Sequence, residues 1–166
     1  MRCYVLMGVA GCGKSSVGAA LAAACGIDFV DGDDLHPQSN IDKMASGHPL
    51  NDADRAPWLK RVGQTLKQAS GPIVIGCSAL KRSYRDLIRE QVEEPVYFLH
   101  LDAEKEVLAR RVSNRPGHFM PASLLDSQFE ALERLGADEL GTEIDISGSY
   151  EQVVLQSVTY LKETLV

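Results

Sequence analysis

Short apolar runs recur along the chain: RCYVLM (2–7), IDFVD (27–31), PIVIGC (72–77), VYFLHL (96–101) and EIDIS (143–147). Each is rich in β-branched or aromatic residues and short enough for a buried strand, and near-continuous apolar character suits a parallel sheet covered on both faces. Helical patterns fill the intervals. Lys14–Ala24 is rich in alanine and leucine and stops at Gly26, and Ala53–Ala69, Ser83–Val92 and Ala103–Ser113 follow. The last, Tyr150–Leu165, sets Tyr150, Val154, Val158, Leu161 and Leu165 on one stripe, as a helix covering a sheet requires. Strand and helix in alternation predict right-handed βαβ units, hence an α/β three-layer sandwich with a five-stranded parallel sheet. Such folds bind ligands at the carboxyl ends of their strands.

Composition narrows the picture. A chain of 166 residues, 45% hydrophobic and 24% charged, builds one domain with a real core. No apolar stretch approaches the roughly 18–20 residues of a membrane span. Residues 3–10 could pass for the core of a secretory signal, but Lys14 follows closely and no small-residue cleavage pattern appears, so a cytoplasmic protein is expected. Cys3, Cys12, Cys25 and Cys77 form no C-x-x-C pair and no metal-type spacing with the histidines, which predicts reduced thiols without a disulfide or structural zinc. The net charge of −6 argues against a general nucleic-acid surface and leaves room for a local basic pocket.

Chemistry enters at GVAGCGKS, residues 8–15, between the first predicted strand and helix. Gly8, Gly13, Lys14 and Ser15 satisfy G-x-x-x-x-G-K-[ST], the phosphate-binding loop of P-loop NTPases. Glycines let backbone N–H groups approach phosphate oxygens, the helix adds its positive end, Lys14 reaches the β- and γ-phosphates and the Ser15 hydroxyl ligates Mg²⁺. Gly11 and Cys12 belong to the same cradle. Ser16 is a candidate α-phosphate contact, though a helix-surface serine explains it equally well. A GTPase switch is not expected: the chain has no Asn-Lys, and its Asp-x-x-Gly matches, at Asp138 and Asp145, come too late. Nor does the strand at 72–77 end in an aspartate. That leaves FVDGDDLHP (29–37), where Asp31 and Asp33 flank Gly32 and a bend could aim both carboxylates into one cleft. One could orient or deprotonate an acceptor hydroxyl while the other holds magnesium waters. The pattern alone fits an acidic turn capping the next helix just as well.

FVDGDDLHP, NIDKMASGHPLNDADRAPWL (40–59), CSALKRSYRDLIR (77–89) and NRPGHFMPASLLDSQFEALE (114–133) together closely resemble the gluconate kinase family, from the P-loop to about Glu133. The P-loop and strand pattern are shared with shikimate kinases and adenylate kinase-like enzymes, so the resemblance implies a nucleoside-monophosphate-kinase-like fold. It further implies ATP- and Mg²⁺-dependent phosphorylation of D-gluconate at its 6-hydroxyl, in a homodimer, with a substrate-binding helical insertion at about 32–70 and a lid at about 111–122. Asp33 would then act on the acceptor hydroxyl, by analogy with shikimate kinases, and Asp31 would serve magnesium through water.

Gluconate is a small polyhydroxy anion, so its pocket needs cationic forks and short polar groups. His36, Arg55, Ser78, Lys81, Arg82 and Arg85 are candidates beside the acidic pair, with His118 further on. A solvated helix face is the rival explanation for Lys81 and Arg82, an ion pair with Asp52 or Asp54 for Arg55, and a turn cap for His36. Trp58 is expected in the core. Arg111 and Arg115, four apart, would share a helical face and reach the transferring phosphate, while Pro116-Gly117 marks the tip of a flap that excludes water. An ordinary basic helix end is the alternative. Other readings of the whole chain are a kinase for shikimate or a related sugar acid, and a nucleotide-binding switch without transfer activity.

Overall fold

Every residue of β1 (Cys3–Met7) is buried, because the strand lies at the centre of the sheet with both faces covered. The computed structural model describes residues 2–113 and 122–165. The remaining strands are β2 (Asp28–Asp31), β3 (Ile73–Gly76), β4 (Val96–Asp102) and β5 (Gly141–Asp145). The helices are α1 (Lys14–Cys25), α2 (Gln38–Ala45), α3 (Asp52–Gln68), α4 (Arg82–Glu90), α5 (Lys105–Ser113), α6 (Ala122–Ala131) and α7 (Tyr150–Thr164), and a 3-10 turn spans Gly32–Leu35. The sheet runs β2-β3-β1-β4-β5 with all neighbours parallel. Side-chain alternation splits the core in two. Tyr4 and Leu6 join Val74, Leu99 and Leu101 against Val17 and Leu21 of α1 and Val153 and Leu161 of α7. Cys3, Val5 and Met7 join Ile73, Ile75 and Phe98 against Trp58, Leu59, Val62 and Leu66 of α3 and Ile88 of α4. The chain leaves β1 toward β2 on one side and later returns beside β1 as β4 on the other, so the reversal of strand order falls where the P-loop begins.

The expected architecture stands, with local corrections. β5 begins two residues before EIDIS, at Gly141 opposite Phe98, a residue whose poor strand propensity hid it from the pattern. The buried face of α7 is Val153, Ser157 and Leu161; Tyr150 is 51% exposed, and Val154 and Val158 flank the stripe. The serine is tolerated there because its hydroxyl donates to the Val153 carbonyl at 2.8 Å. Helix α2 carried no apolar signal, since Ile41 and Met44 are both substantially exposed; it is anchored through buried Asn40, which donates to the Asp54 carbonyl at 2.9 Å. Helix α6 was also unmarked. The proposed lid falls largely on 114–121, outside the described residues, as do Arg115 and His118.

Candidate active site

The P-loop follows β1 at the carboxyl edge of the sheet. Gly13 caps α1 with φ 94°, and Gly11 has φ 83°, left-handed angles that a side chain would strain. Cys12 is buried, and the Lys14 ammonium folds back over the loop, donating to the carbonyls of Gly8 at 2.8 Å and Val9 at 3.3 Å, with the Cys12 Sγ at 3.8 Å. Ser16 is on the exposed side of α1, where its carbonyl accepts from the Tyr150 hydroxyl at 3.1 Å. Ser15 points the other way, donating to Asp31 Oδ2 at 3.1 Å.

That bond joins the nucleotide loop to the acidic turn. Asp31 caps the 3-10 turn, its Oδ1 accepting from the Asp33 N–H at 3.0 Å, so the capping reading of the Asp pair holds while the other Asp31 oxygen faces Ser15. Partial burial, then the Asp31 charge, push the Asp33 carboxyl above the ordinary range, with Lys14 acting in the opposite sense; one side of the residue stays open to solvent. The turn is fixed from behind. A Cβ on Gly32 would meet the Gly76 carbonyl at 2.2 Å, and Trp58 Nε1 donates to the Gly32 carbonyl at 2.7 Å. Trp58 is core, as expected, and also braces the acidic turn while stacking on His36 with centroids 4.1 Å apart. Trp58→Phe keeps the stacked face but orphans the Gly32 carbonyl, so a loss of about 1–3 kcal/mol in urea unfolding is expected.

Burial, with Arg55 adding to it, pushes the His36 ring below its usual range against the opposing Asp33 charge. The Asn40 amide nitrogen must donate to the Asp54 carbonyl, so the same nitrogen, 3.2 Å from His36 Nδ1, donates there too and leaves the ring proton on Nε2. Arg55 is not paired with Asp52 or Asp54. Asp54 is taken by Lys43 at 2.5 Å and by the α3 capping box, and Arg55 donates to the Tyr84 hydroxyl at 3.3 Å. Tyr84 in turn donates to Asp52 at 2.5 Å, and Lys81 stands 3.3 Å from the same carboxylate, so Arg55, Lys81, Tyr84 and Asp52 form one cluster at the carboxyl end of β3. Tyr84 and Lys81 hold the Asp52 carboxyl below its usual range. A cavity of roughly 520 Å³ opens beside this cluster, lined among others by Asp52, Lys81, Ser83 and Glu133. Ser78 sits between the two loops, its carbonyl accepting from Gly8 N at 3.2 Å. Cys77 below it is pushed up to about 12 by burial and stays a thiol.

One of the expected substrate contacts is corrected. Arg85 is 0% exposed and spends its donors on Glu139, at 2.7 and 3.0 Å, and on the Ala79, Leu80 and Arg134 carbonyls, so nothing is left for a ligand. Arg82 makes a forked pair with Asp138, at 2.9 and 2.5 Å, and lines the same cavity as Asp52 and Lys81. Arg111 donates to the carbonyls of Ile146 and, at 3.4 Å, Gly148, which puts it on the loop after β5. The sequence reading assigned no role to Gln128, whose Oε1 accepts from the P-loop N–H of Ala10 at 2.6 Å, nor to Tyr84. Gln128 lies inside the quoted stretch LLDSQFEALE, which was the one signal available for it.

A phosphate loop at the end of a central parallel strand, hydrogen-bonded to an acidic turn and facing a cationic cluster, defines a P-loop small-molecule kinase. An AAA domain family matches residues 4–135. Over 159 residues the chain is 48% identical to the thermosensitive gluconokinase of Escherichia coli, covering 92% of this chain and 83% of that protein. Over 161 residues it is 47% identical to the gluconokinase of Gluconobacter oxydans, covering 95% and 89%. The crystal structure of a gluconokinase from Sinorhizobium meliloti is similar at TM-score 0.90 and 45% identity, covering 98% of this chain and 92% of that one. A shikimate kinase from Aquifex aeolicus, at 16% identity and TM-score 0.62, shares the fold. The chain belongs to the gluconokinase family.

Proposed function

We propose that the protein transfers the γ-phosphoryl group of ATP to the 6-hydroxyl of D-gluconate, giving 6-phospho-D-gluconate and ADP. The Ser15–Asp31 hydrogen bond carries the assignment, because it puts the nucleotide loop and the acidic turn in one cleft of a chain 48% identical to a gluconokinase. Lys14 leaves the Gly8 and Val9 carbonyls for the β- and γ-phosphates and neutralises charge there. Asp33 accepts the hydroxyl proton as the oxygen bonds to phosphorus and the bond to the ADP oxygen breaks. Arg55 and Lys81 offer cationic donors to the sugar-acid carboxylate, which takes over contacts that Asp52 now occupies; His36 Nε2–H and Ser78 serve the hydroxyls. Arg111, with Arg115, closes over the nucleotide in the proposed lid of about 111–122, and the segment of about 32–70 carries the acceptor.

Ser15 Oγ and Asp31 Oδ2 are hard oxygen donors 3.1 Å apart, a set that fits Mg²⁺ held by one or two protein groups plus phosphates and water. When bound, that ion supplies charge neutralisation at the phosphate oxygens. Among the described residues no helix is long and apolar enough to cross a membrane. A cytoplasmic homodimer completes the proposal, its dimer state checked by sedimentation. An ADP-release assay over gluconate, related sugar acids, shikimate and nucleoside monophosphates tests the reaction. Release should require gluconate; release only with shikimate, or none with any acceptor, would reject the proposal.

A further inference from the structure

The loop between β3 and α4 touches both halves of the site, yet its middle is held by groups far from either ligand. Ala79 is buried and is the single non-glycine among the described residues with positive φ, 45°, a conformation its side chain disfavours. Its carbonyl accepts from Arg85 Nη1 at 2.8 Å, and the Leu80 carbonyl accepts from the same nitrogen at 3.2 Å. Arg85 is in turn fixed by Glu139, 1% exposed, which also accepts from Arg89 at 2.9 Å and from Gly136 N at 3.1 Å. Ser78, by contrast, has its own anchor on the P-loop through Gly8 N. The nucleotide end of the loop is therefore secured independently, and the Leu80 carbonyl has a second donor in Glu133 N at 2.7 Å, so it is the left-handed Ala79 peptide between them whose carbonyl rests on the arginine. We propose that Arg85 and Glu139 are positioning residues for the acceptor: the buried pair holds the left-handed Ala79 peptide and so sets where Lys81 presents its charge to the sugar acid.

The inference rests on the acceptor assignment above, and its test separates the two. Arg85→Lys keeps the charge opposite Glu139 but loses the fork that reaches both carbonyls. The KM for gluconate should rise roughly ten- to hundredfold, with the KM for ATP changed less than about twofold, as expected when a contact group shifts by a fraction of an ångström to an ångström. Glu139→Gln, which leaves the arginine in place with a weaker partner, should give the same split in milder form. Ala79→Gly removes the conformational penalty, so in the Arg85→Lys background it should recover most of the lost gluconate affinity while changing the otherwise wild-type enzyme little. Thermal unfolding is followed for every variant. Lower melting temperatures with an unchanged gluconate KM, parallel rises in both KM values, or no recovery on adding Ala79→Gly would each overturn the clamp. Wild-type protein inactive with gluconate would instead overturn the acceptor assignment beneath it.

Discussion

Asp33→Asn is expected to lower kcat by about 10²–10⁴-fold while leaving ATP affinity nearly unchanged, the mark of a group that acts on the transferring proton. Steady-state kinetics beside calorimetric ATP titration check this, and an equal loss in both would contradict the role. The raised Asp33 carboxyl adds a pH signature. A base must be ionised, so the acid limb of kcat/KM in the wild type should lie above the ordinary 3.8 of an aspartate and vanish from the residual activity of the variant. Stability runs the opposite way. A carboxyl whose folded pKa exceeds its unfolded one contributes stability that is complete below the unfolded value and lost as pH rises through the folded value. Asp33→Asn should therefore melt higher than the wild type at neutral pH, with the gap closing in acid. Lower activity with higher stability is what a strained functional carboxylate predicts.

Lys14→Met should cut kcat/KM for ATP by about 10²–10³-fold or more, the scale set by losing a preorganised cationic donor to developing charge. Its present partners are carbonyls of its own loop, at 2.8 and 3.3 Å, so the fold loses little and thermal unfolding should barely move. Lys14→Arg is not expected to rescue: a planar fork does not fit where a point charge passes between Gly8 and the phosphates. An unchanged KM for ATP in Lys14→Met would mean that the loop binds phosphate without its lysine.

What could be read from the sequence was what is local. GVAGCGKS carries turn, cradle and helix start directly after β1, and FVDGDDLHP carries its own cap, so both are legible from local pattern. Arg85 was misassigned because a cation after β3 looks alike whether it faces ligand or core; its partner Glu139 lies 54 positions away, and nothing nearby announces it. Arg82 keeps its place at the cavity, but its fork to Asp138, 56 positions on, was equally out of reach of local pattern. Tyr84 carries no local signal of its own, yet its hydroxyl links Arg55 to Asp52. Helix α2 was invisible because its anchor is an asparagine rather than an apolar stripe.

Gly32 leans on the Gly76 carbonyl, main chain against main chain. The seat of the acidic turn on the end of β3 is thereby a contact between two backbones. Substitution at Arg55, Lys81 or Tyr84 should thus change the chemistry of the neighbouring cavity while leaving the turn seated where it is.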